Sequence, residues 1–246
     1  MSQPVQTQGY LYTFSQNCFL TKEDRILQTG RKNSKNGLIL ILIADDHPYL
    51  IHGVEADLNK DPKLKIVGSC GSYDELLKYA PTLSPDIILM DLKMPGYDNY
   101  DLHSIISELK KKNDSKIVIF SNETGWARIH RCLEIGANAY IEKAISLGRL
   151  SELIHKICSE DELVVYTSEK LPEIQFSPRQ SSILHFIADG KENDQIAAIL
   201  SIDIKTVQSY VNEIKAKFAE AFNMHPIRPR ALLLIASKLG FGSKSL

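Results

Sequence analysis

Long apolar runs are missing from this sequence of 246 residues. The longest, Leu38–Ala44, spans seven residues, whereas a membrane-crossing helix needs roughly 20, so a membrane span is not expected. The N-terminus lacks the basic stretch, apolar stretch and small-residue cleavage site of a secretory leader. Cysteine is scarce: Cys18, Cys70, Cys132 and Cys158 lie far apart with no C-x-x-C pair. That spacing argues against a zinc cage or a disulfide framework and fits the reducing cytoplasm. Neither sign of charge dominates, with 29 Lys and Arg against 30 Asp and Glu. Net charge alone therefore does not drive binding to nucleic acid or to a membrane surface. What is present is a mixture of 43% hydrophobic and 24% charged residues, as in globular proteins, with room for two ordinary domains.

Residues 1–37 show no sustained period and are rich in Gln, Ser, Thr, Asn and Lys. A flexible extension is expected, because termini fray, while the apolar islands Tyr10–Phe14 and Cys18–Leu20 leave a docked strand open. Over residues 38–158 short apolar runs alternate with helical patterns. Leu38–Ala44, Lys65–Cys70, Asp86–Met90, Lys116–Phe120 and Ala139–Ile141 are short and mostly β-rich, as buried parallel strands are. Between and after them Tyr49–Asn59, Tyr73–Ala80, Tyr100–Lys112, Thr124–Ile135 and Leu147–Ile157 carry helical spacing. Five β-α repeats predict an α/β doubly wound, five-stranded parallel sheet whose ligand site lies at the carboxyl ends of the strands. Residues 159–175, with mixed charge, a short apolar patch and a proline, read as a linker. Residues 176–246 contain no strand-like run and predict a small all-α domain. Residues 172–246 hold nine Lys and Arg against seven Asp and Glu, so +2, and residues 1–171 hold 20 against 23, so −3. The asymmetry is small but has the sign of a DNA-binding C-terminus.

The residues that end the predicted strands carry the chemistry. The first run ends in Ala44-Asp45-Asp46 and the third in Met90-Asp91. Three carboxylates at one sheet edge repel one another unless a hard divalent cation neutralises them, and oxygen ligands on an open site suit Mg²⁺. The fourth run leads into Ser121, a hydroxyl, and the fifth into Glu142-Lys143, an ammonium. An anionic nucleophile, a metal, a hydroxyl and a lysine are the equipment for moving a phosphoryl group. His47, followed by Pro48, reads as an incidental imidazole at a helix start rather than a ligand. Glu123 reads equally as a solvated loop carboxylate.

The motifs I-A-D-D-H-P (43–48), I-I-L-M-D-L-K-M-P-G (87–96), I-V-I-F-S-N (117–122) and G-A-N-A-Y-I-E-K (136–143) resemble the receiver domain of bacterial two-component response regulators. The intervals also match: 45 residues from Asp46 to Asp91, 30 to Ser121 and 22 to Lys143. The resemblance covers residues 38–158 and implies a flavodoxin-like fold. It implies that Asp91 is the phosphoacceptor, and that Asp45, Asp46, Asp91 and the backbone carbonyl of Lys93 hold Mg²⁺. It further implies that Ser121 is the switch hydroxyl, that Lys143 pairs with the phosphoryl group, and that the rotamer of Tyr140 follows the switch. Met94-Pro95-Gly96 resembles the tight loop after the acceptor, and Glu123 falls where family members influence phosphate lifetime. Ala144 departs from the proline of many receivers.

The C-terminal region begins with Ser177-Pro178, an N-cap and first helical position. Helical spacing follows in Ile183, Leu184, Ile187 and Ala188, then in a short helix over Asn193–Leu200 and a long one to Phe218. In the last, Val207, Val211, Ile214 and Phe218 form one apolar stripe, and Lys205, Gln208, Ser209, Asn212 and Lys215 form a polar face suited to the major groove. Residues 176–210 resemble a LuxR-type helix-turn-helix of the NarL/FixJ-like regulators. Gln180 stands where the family usually has glutamate, so a stabilising ion pair is expected to be lost. Gln208 and Tyr210 replace a common lysine and histidine, which implies an unusual operator. A final helix, Ala231–Leu239, resembles the element that commonly forms the dimer contact, and also reads as packing on the domain's own core.

The expected function is a response regulator in which a histidine kinase phosphorylates Asp91 to control sequence-specific binding of double-stranded DNA. The resemblance implies a homodimer on DNA or when phosphorylated, and the composition implies a cytoplasmic location with no membrane partner. One alternative is a phospho-switch that acts by protein–protein interaction with lost or weak DNA binding. An aspartyl-phosphate phosphatase is disfavoured, because that chemistry needs an acid two residues after the nucleophile and Lys93 stands there. The chain is therefore expected to accept a phosphoryl group without being a turnover enzyme.

Overall fold

The structure, a computed structural model, describes residues 9–15, 37–96, 101–159, 162–170 and 172–222, together with Leu232 and Ala236. Two compact units result, one of residues through Thr124 and Arg131–Glu169, the other of Gly125–His130 and residues from Lys170 onward. The elements up to residue 167 are β1 (Tyr10–Ser15), β2 (Ile39–Ala44), α1 (Pro48–Leu58), β3 (Leu64–Cys70), α2 (Tyr73–Leu83), β4 (Ile87–Met90), α3 (Leu102–Lys112), β5 (Lys116–Ser121), α4 (Trp126–Glu134), β6 (Ala139–Glu142), α5 (Leu147–Ser159) and β7 (Glu162–Thr167). The strands form one sheet in the order β1-β7-β6-β5-β4-β2-β3. Every neighbouring pair is parallel except β1 with β7.

The five expected strands form a continuous parallel run, β6-β5-β4-β2-β3, within a seven-stranded sheet, and β3 is one of its edges. Central strands β4 and β5 are buried along their whole length, which is why they read as unbroken apolar runs rather than as alternations. Two corrections concern the sheet's margin. Residues 162–167, expected within a linker, form β7, and residues 10–15, expected in a flexible extension, form β1. The crossover through α5 lays β7 beside β6, with Val165 opposite Tyr140, and buries Leu163, Val164 and Val165. β1 then pairs antiparallel with β7, placing Tyr12 opposite Val165. Polar flanks around a short apolar patch mark a linker, but they equally mark a strand near a sheet's edge.

Pairing at the end of β7 is reinforced by a side chain. The buried Glu142 carboxylate accepts from the Ser168 N–H at 2.6 Å, the Ser168 hydroxyl at 2.8 Å and the Thr167 hydroxyl at 3.2 Å. On the helical side Pro48 begins α1 at its first position, where its missing N–H costs nothing. Ser72 caps α2 by accepting from the Glu75 N–H. The helix continues past its expected end at Ala80, because Pro81 lies in the last turn and left-handed Ser84 closes it with an N–H bond to the Ala80 carbonyl at 3.0 Å. Burial pushes the Cys70 thiol up to about 12, so it stays protonated and inert.

The second unit contains α6 (Pro178–Ala188), α7 (Asn193–Leu200) and α8 (Ile204–Phe222). Ser177 and Gln180 cap α6 reciprocally. Ile183, Leu184, Ile196, Val207, Ile214 and Phe218 meet in its core, which Leu232 and Ala236 join. The rest of the expected final helix, and with it the expected dimer contact, lies outside the described residues. No helix among the described residues is long and apolar enough to cross a membrane.

A polar contact ties the corner between α1 and β3 to α5. The Asp61 carboxylate accepts from His155 Nε2 at 2.7 Å and Ser151 Oγ at 2.8 Å, and from the Lys63 N–H at 2.9 Å. These donors, His155 foremost, lower the Asp61 carboxyl from 3.8 to about 2. A carboxyl held below its unfolded value contributes stability above that value and loses it as pH falls through the folded one. The destabilisation caused by Asp61→Asn should therefore be full at neutral pH and shrink as pH falls from about 4 to about 2. Urea-unfolding midpoints of wild type and variant across that range measure it.

Candidate functional site

Strand register brings the acidic residues together. Ala44 lies opposite Met90 and Met90 opposite Ile119, so Asp45 and Asp91 leave the sheet side by side. Their backbones are fixed by N–H bonds from Asp91 to the Ala44 carbonyl at 2.8 Å and from Asp45 to the Cys70 carbonyl at 2.9 Å. Ser121 pairs with Glu142, and the Lys143 N–H donates to the Ser121 carbonyl at 2.9 Å.

Lys143 carries the electrostatics of this edge. Its Nζ lies 2.6 Å from Asp45 Oδ2 and 2.9 Å from Asp91 Oδ2, with all three side chains no more than 6% exposed. One ammonium serves two buried carboxylates, and Asp46 adds a third that is 33% exposed. Asp45 Oδ2 has no other partner among the described residues, so Lys143 is what compensates it. Asp91 Oδ1 accepts from the Leu92 N–H at 2.7 Å. The acidic side chains and His47 place one ligand atom each within 4.8 Å of one another. An oxygen-rich, negatively overcharged set of this kind fits a divalent cation.

The surrounding residues shape the edge. Tyr73, at the start of α2, donates its hydroxyl to the Leu92 carbonyl at 2.9 Å, and its N–H bonds the Pro95 carbonyl at 3.3 Å. It thereby holds the loop after Asp91. Buried Ser121 accepts from the Glu123 N–H at 3.3 Å through Oγ. Tyr140 is fully buried and donates to the Glu123 carbonyl at 2.6 Å. Lys93 forms an ion pair with Glu123 at 2.8 Å. Asp45, Asp46, Asp91 and Lys143 are thus brought together, with Ser121 and Tyr140 on the adjoining strands and Lys93 on the loop after Asp91. Sequence reasoning missed Tyr73, whose signal was an aromatic directly after an N-cap serine. It also set aside His47, whose Nδ1 lies 2.8 Å from Asp46 Oδ1 and 3.1 Å from Asp45 Oδ1.

In the second unit α8 sorts its residues as the apolar stripe requires. Val207, Val211, Ile214 and Phe218 are buried, while Lys205, Gln208, Ser209 and Asn212 are exposed and Lys215 is half-buried. Asp203 precedes the helix and accepts from the Lys205 N–H at 2.7 Å.

Comparison with known proteins places these two sites in one family. Residues 41–155 match the family model of the response regulator receiver domain. Residues 175–221 match that of the bacterial regulatory proteins, luxR family. Transcriptional regulatory protein LiaR of Bacillus subtilis is 29% identical over 193 residues, 73% of this chain and 90% of that protein. The nitrate/nitrite response regulator protein NarL of Escherichia coli K12 is 30% identical over 195 residues, 72% of this chain and 88% of that protein. The chain belongs to the LuxR-type response regulators. A structure of RcsB, as two dimers bound to two parallel DNAs, shares the fold of this regulator: its TM-score is 0.52 at 22% identity, over 82% of this chain and 99% of that one.

Within this regulator Gln180 stands in place of the family's usual glutamate; the neutral side chain forms no ion pair, and hydrogen bonds take its place. Gln180 is buried, its Nε2 donates to Glu213 at 3.0 Å and its Oε1 accepts from Lys217 Nζ at 3.0 Å. The amide carries both a donor and an acceptor, so one neutral side chain joins two oppositely charged residues of α8, Glu213 and Lys217, to the start of α6. Gln180→Ala should cost the helical unit about 1–3 kcal/mol, the range for leaving buried or charged partners unsatisfied. Urea unfolding of the full-length protein followed by circular dichroism measures it.

Proposed function

We propose that Asp91 takes a phosphoryl group from the phosphohistidine of a sensor histidine kinase, and that the acyl phosphate controls DNA binding by the helical unit. The observation that carries this reading is the meeting of Asp45, Asp46 and Asp91 with a lysine 2.6 and 2.9 Å from two of them. Asp45, Asp46, Asp91 and the Lys93 carbonyl would hold Mg²⁺, which when bound spreads the charge on the transferring oxygens. Asp91 Oδ1 accepts from the Leu92 N–H and Oδ2 lies 2.9 Å from Lys143 Nζ, and attack uses a remaining lone pair of the carboxylate. As that oxygen bonds to phosphorus, the phosphorus–nitrogen bond breaks and the imidazole leaves with the bonding pair. Lys143 then neutralises the product, as a positioned cation does in phosphoryl transfer. The Ser121 hydroxyl bonds a phosphoryl oxygen, and the Tyr140 contact to the Glu123 carbonyl follows that movement. Lys93 supplies no acid for a leaving group, so the step is one self-phosphorylation per chain rather than turnover.

On the output side Lys205 and Lys215 are assigned to DNA phosphates, and Gln208, Ser209 and Asn212 to base edges in the major groove. A homodimer reading two half-sites of double-stranded DNA is the assembly we assign to the phosphorylated form, in the cytoplasm. A switch that works by protein contact alone gains no support from α8, whose exposed residues from Lys205 to Asn212 include no carboxylate.

Incubation with acetyl phosphate and Mg²⁺ should add one phosphoryl group to the wild type, read by intact mass. Asp91→Asn should add none, and equal labelling of that variant would sink the assignment. Selection of preferred DNA sites should show Gln208→Ala losing preference at one operator position, worth about 1–3 kcal/mol. Lys205→Ala should weaken all sequences alike and lower the salt slope by about one.

A further inference from the structure

We propose that Ile204, the first residue of α8, reads the C5-methyl group of a thymine in the operator. The inference rests on the reading of α8 as the helix that enters the major groove, and it adds an apolar contact to the polar ones assigned there. Among the described residues the exposed large apolar side chains are Tyr49, Ile199 and Ile204. Ile204 lies on α8 and is 40% exposed, whereas Val207 and Ile214 of the same helix are fully buried. The core of the helical unit closes without it. Ile196, Val207 and Ile214 meet in that core, and Ile204 is not among the side chains packed on it. Internal packing therefore does not account for an isoleucine at this position.

Its place on the helix does. Ile204 stands one turn before Gln208, and side chains four residues apart share a helix face. Both are exposed, as are Lys205, Ser209 and Asn212, so the isoleucine sits within the polar face assigned to DNA. In helix-turn-helix proteins the N-terminal residues of the reading helix reach base edges. Among the donors and acceptors there, the major groove displays the thymine methyl as its apolar group. A branched hydrocarbon complements that methyl and can satisfy no donor or acceptor. One helical turn advances about 5.4 Å and one base step about 3.4 Å, so the thymine falls within about two steps of the base that Gln208 reads. The first turn is also held in advance. Asp203 accepts from the Lys205 N–H through its carboxylate at 2.7 Å, and from the Thr206 and Val207 N–H groups through its carbonyl at 3.0 and 3.2 Å. Ile204 stands inside that capped turn, and its β-branched side chain has few rotamers to lose on binding.

The test uses the full-length protein and a duplex operator obtained by site selection. Each thymine is replaced in turn by uracil, which differs only in lacking the methyl, and binding is read by fluorescence anisotropy. At one thymine per half-site, within about two steps of the position read by Gln208, uracil should weaken the wild type about 4-fold, the scale of one buried methyl-sized group. Ile204→Ala should bind thymine and uracil alike there. Ile199→Ala, which removes an exposed isoleucine outside α8, should keep the discrimination. Wild-type binding indifferent to uracil at every thymine would overturn the proposal without recourse to any variant. So would a selected operator with no thymine in that window, or full discrimination retained by Ile204→Ala. These results leave the groove reading of α8 intact and remove the methyl contact alone. Site selection that returns no preferred sequence would overturn the groove reading itself, and the proposal with it.

Discussion

Lys143 reaches its two carboxylates across another strand, and much of the active edge follows from that reach. It leaves the end of β6, whereas Asp91 follows β4 and Asp45 follows β2, with β5 lying between. At about 4.8 Å per strand, β4 is about 10 Å away, so the stem must cross the end of β5. Ser121 stands there, small and buried. A large side chain at that position would block the ammonium and leave two buried carboxylates uncompensated, a severe cost in a dry environment. The smallness of Ser121 is thus a packing requirement as well as a chemical opportunity. Removing the Tyr73 hydroxyl would relax the loop after Asp91 from the other side, since that hydroxyl holds the Leu92 carbonyl.

The five-stranded parallel run and its acidic edge were legible in the sequence for a common reason. Strands buried on both faces read as continuous apolar runs, and the first polar residue after each run must lie at the strand's carboxyl end. That logic points to Asp45, Asp91 and Ser121, whereas Lys143 stands one residue further on, behind Glu142, and is set apart by the G-A-N-A-Y-I-E-K motif. The logic failed at the margin. Glu162–Thr167 and Tyr10–Ser15 are short and flanked by charge or polarity, and each pairs with the other far along the chain, Tyr10 with Thr167. Local pattern carries no information about so distant a partner, so a strand and a polar linker look alike there.

Side-chain direction was the second blind spot. A sequence places His47 next to an acidic pair but does not say that its ring Nδ1 lies within 3.1 Å of both carboxylates. Gln180 shows the converse. Comparison of residue types counts a lost charge, yet the amide's two ends reach Glu213 and Lys217 separately. In both places the decisive quantity is the direction of a lone pair or a proton, which residue identity leaves open. The apolar stripe of α8 was easier, since helical period alone determines which residues turn inward.

The bond between Glu142 and Ser168 makes β7 more than a cover for a sheet edge. Glu142 precedes Lys143 directly, and its carboxylate grips both the N–H and the hydroxyl of Ser168. Ser168 stands two residues before Lys170, where the chain passes into the helical unit. The residue next to the ammonium thus holds the chain in place until two residues before Lys170.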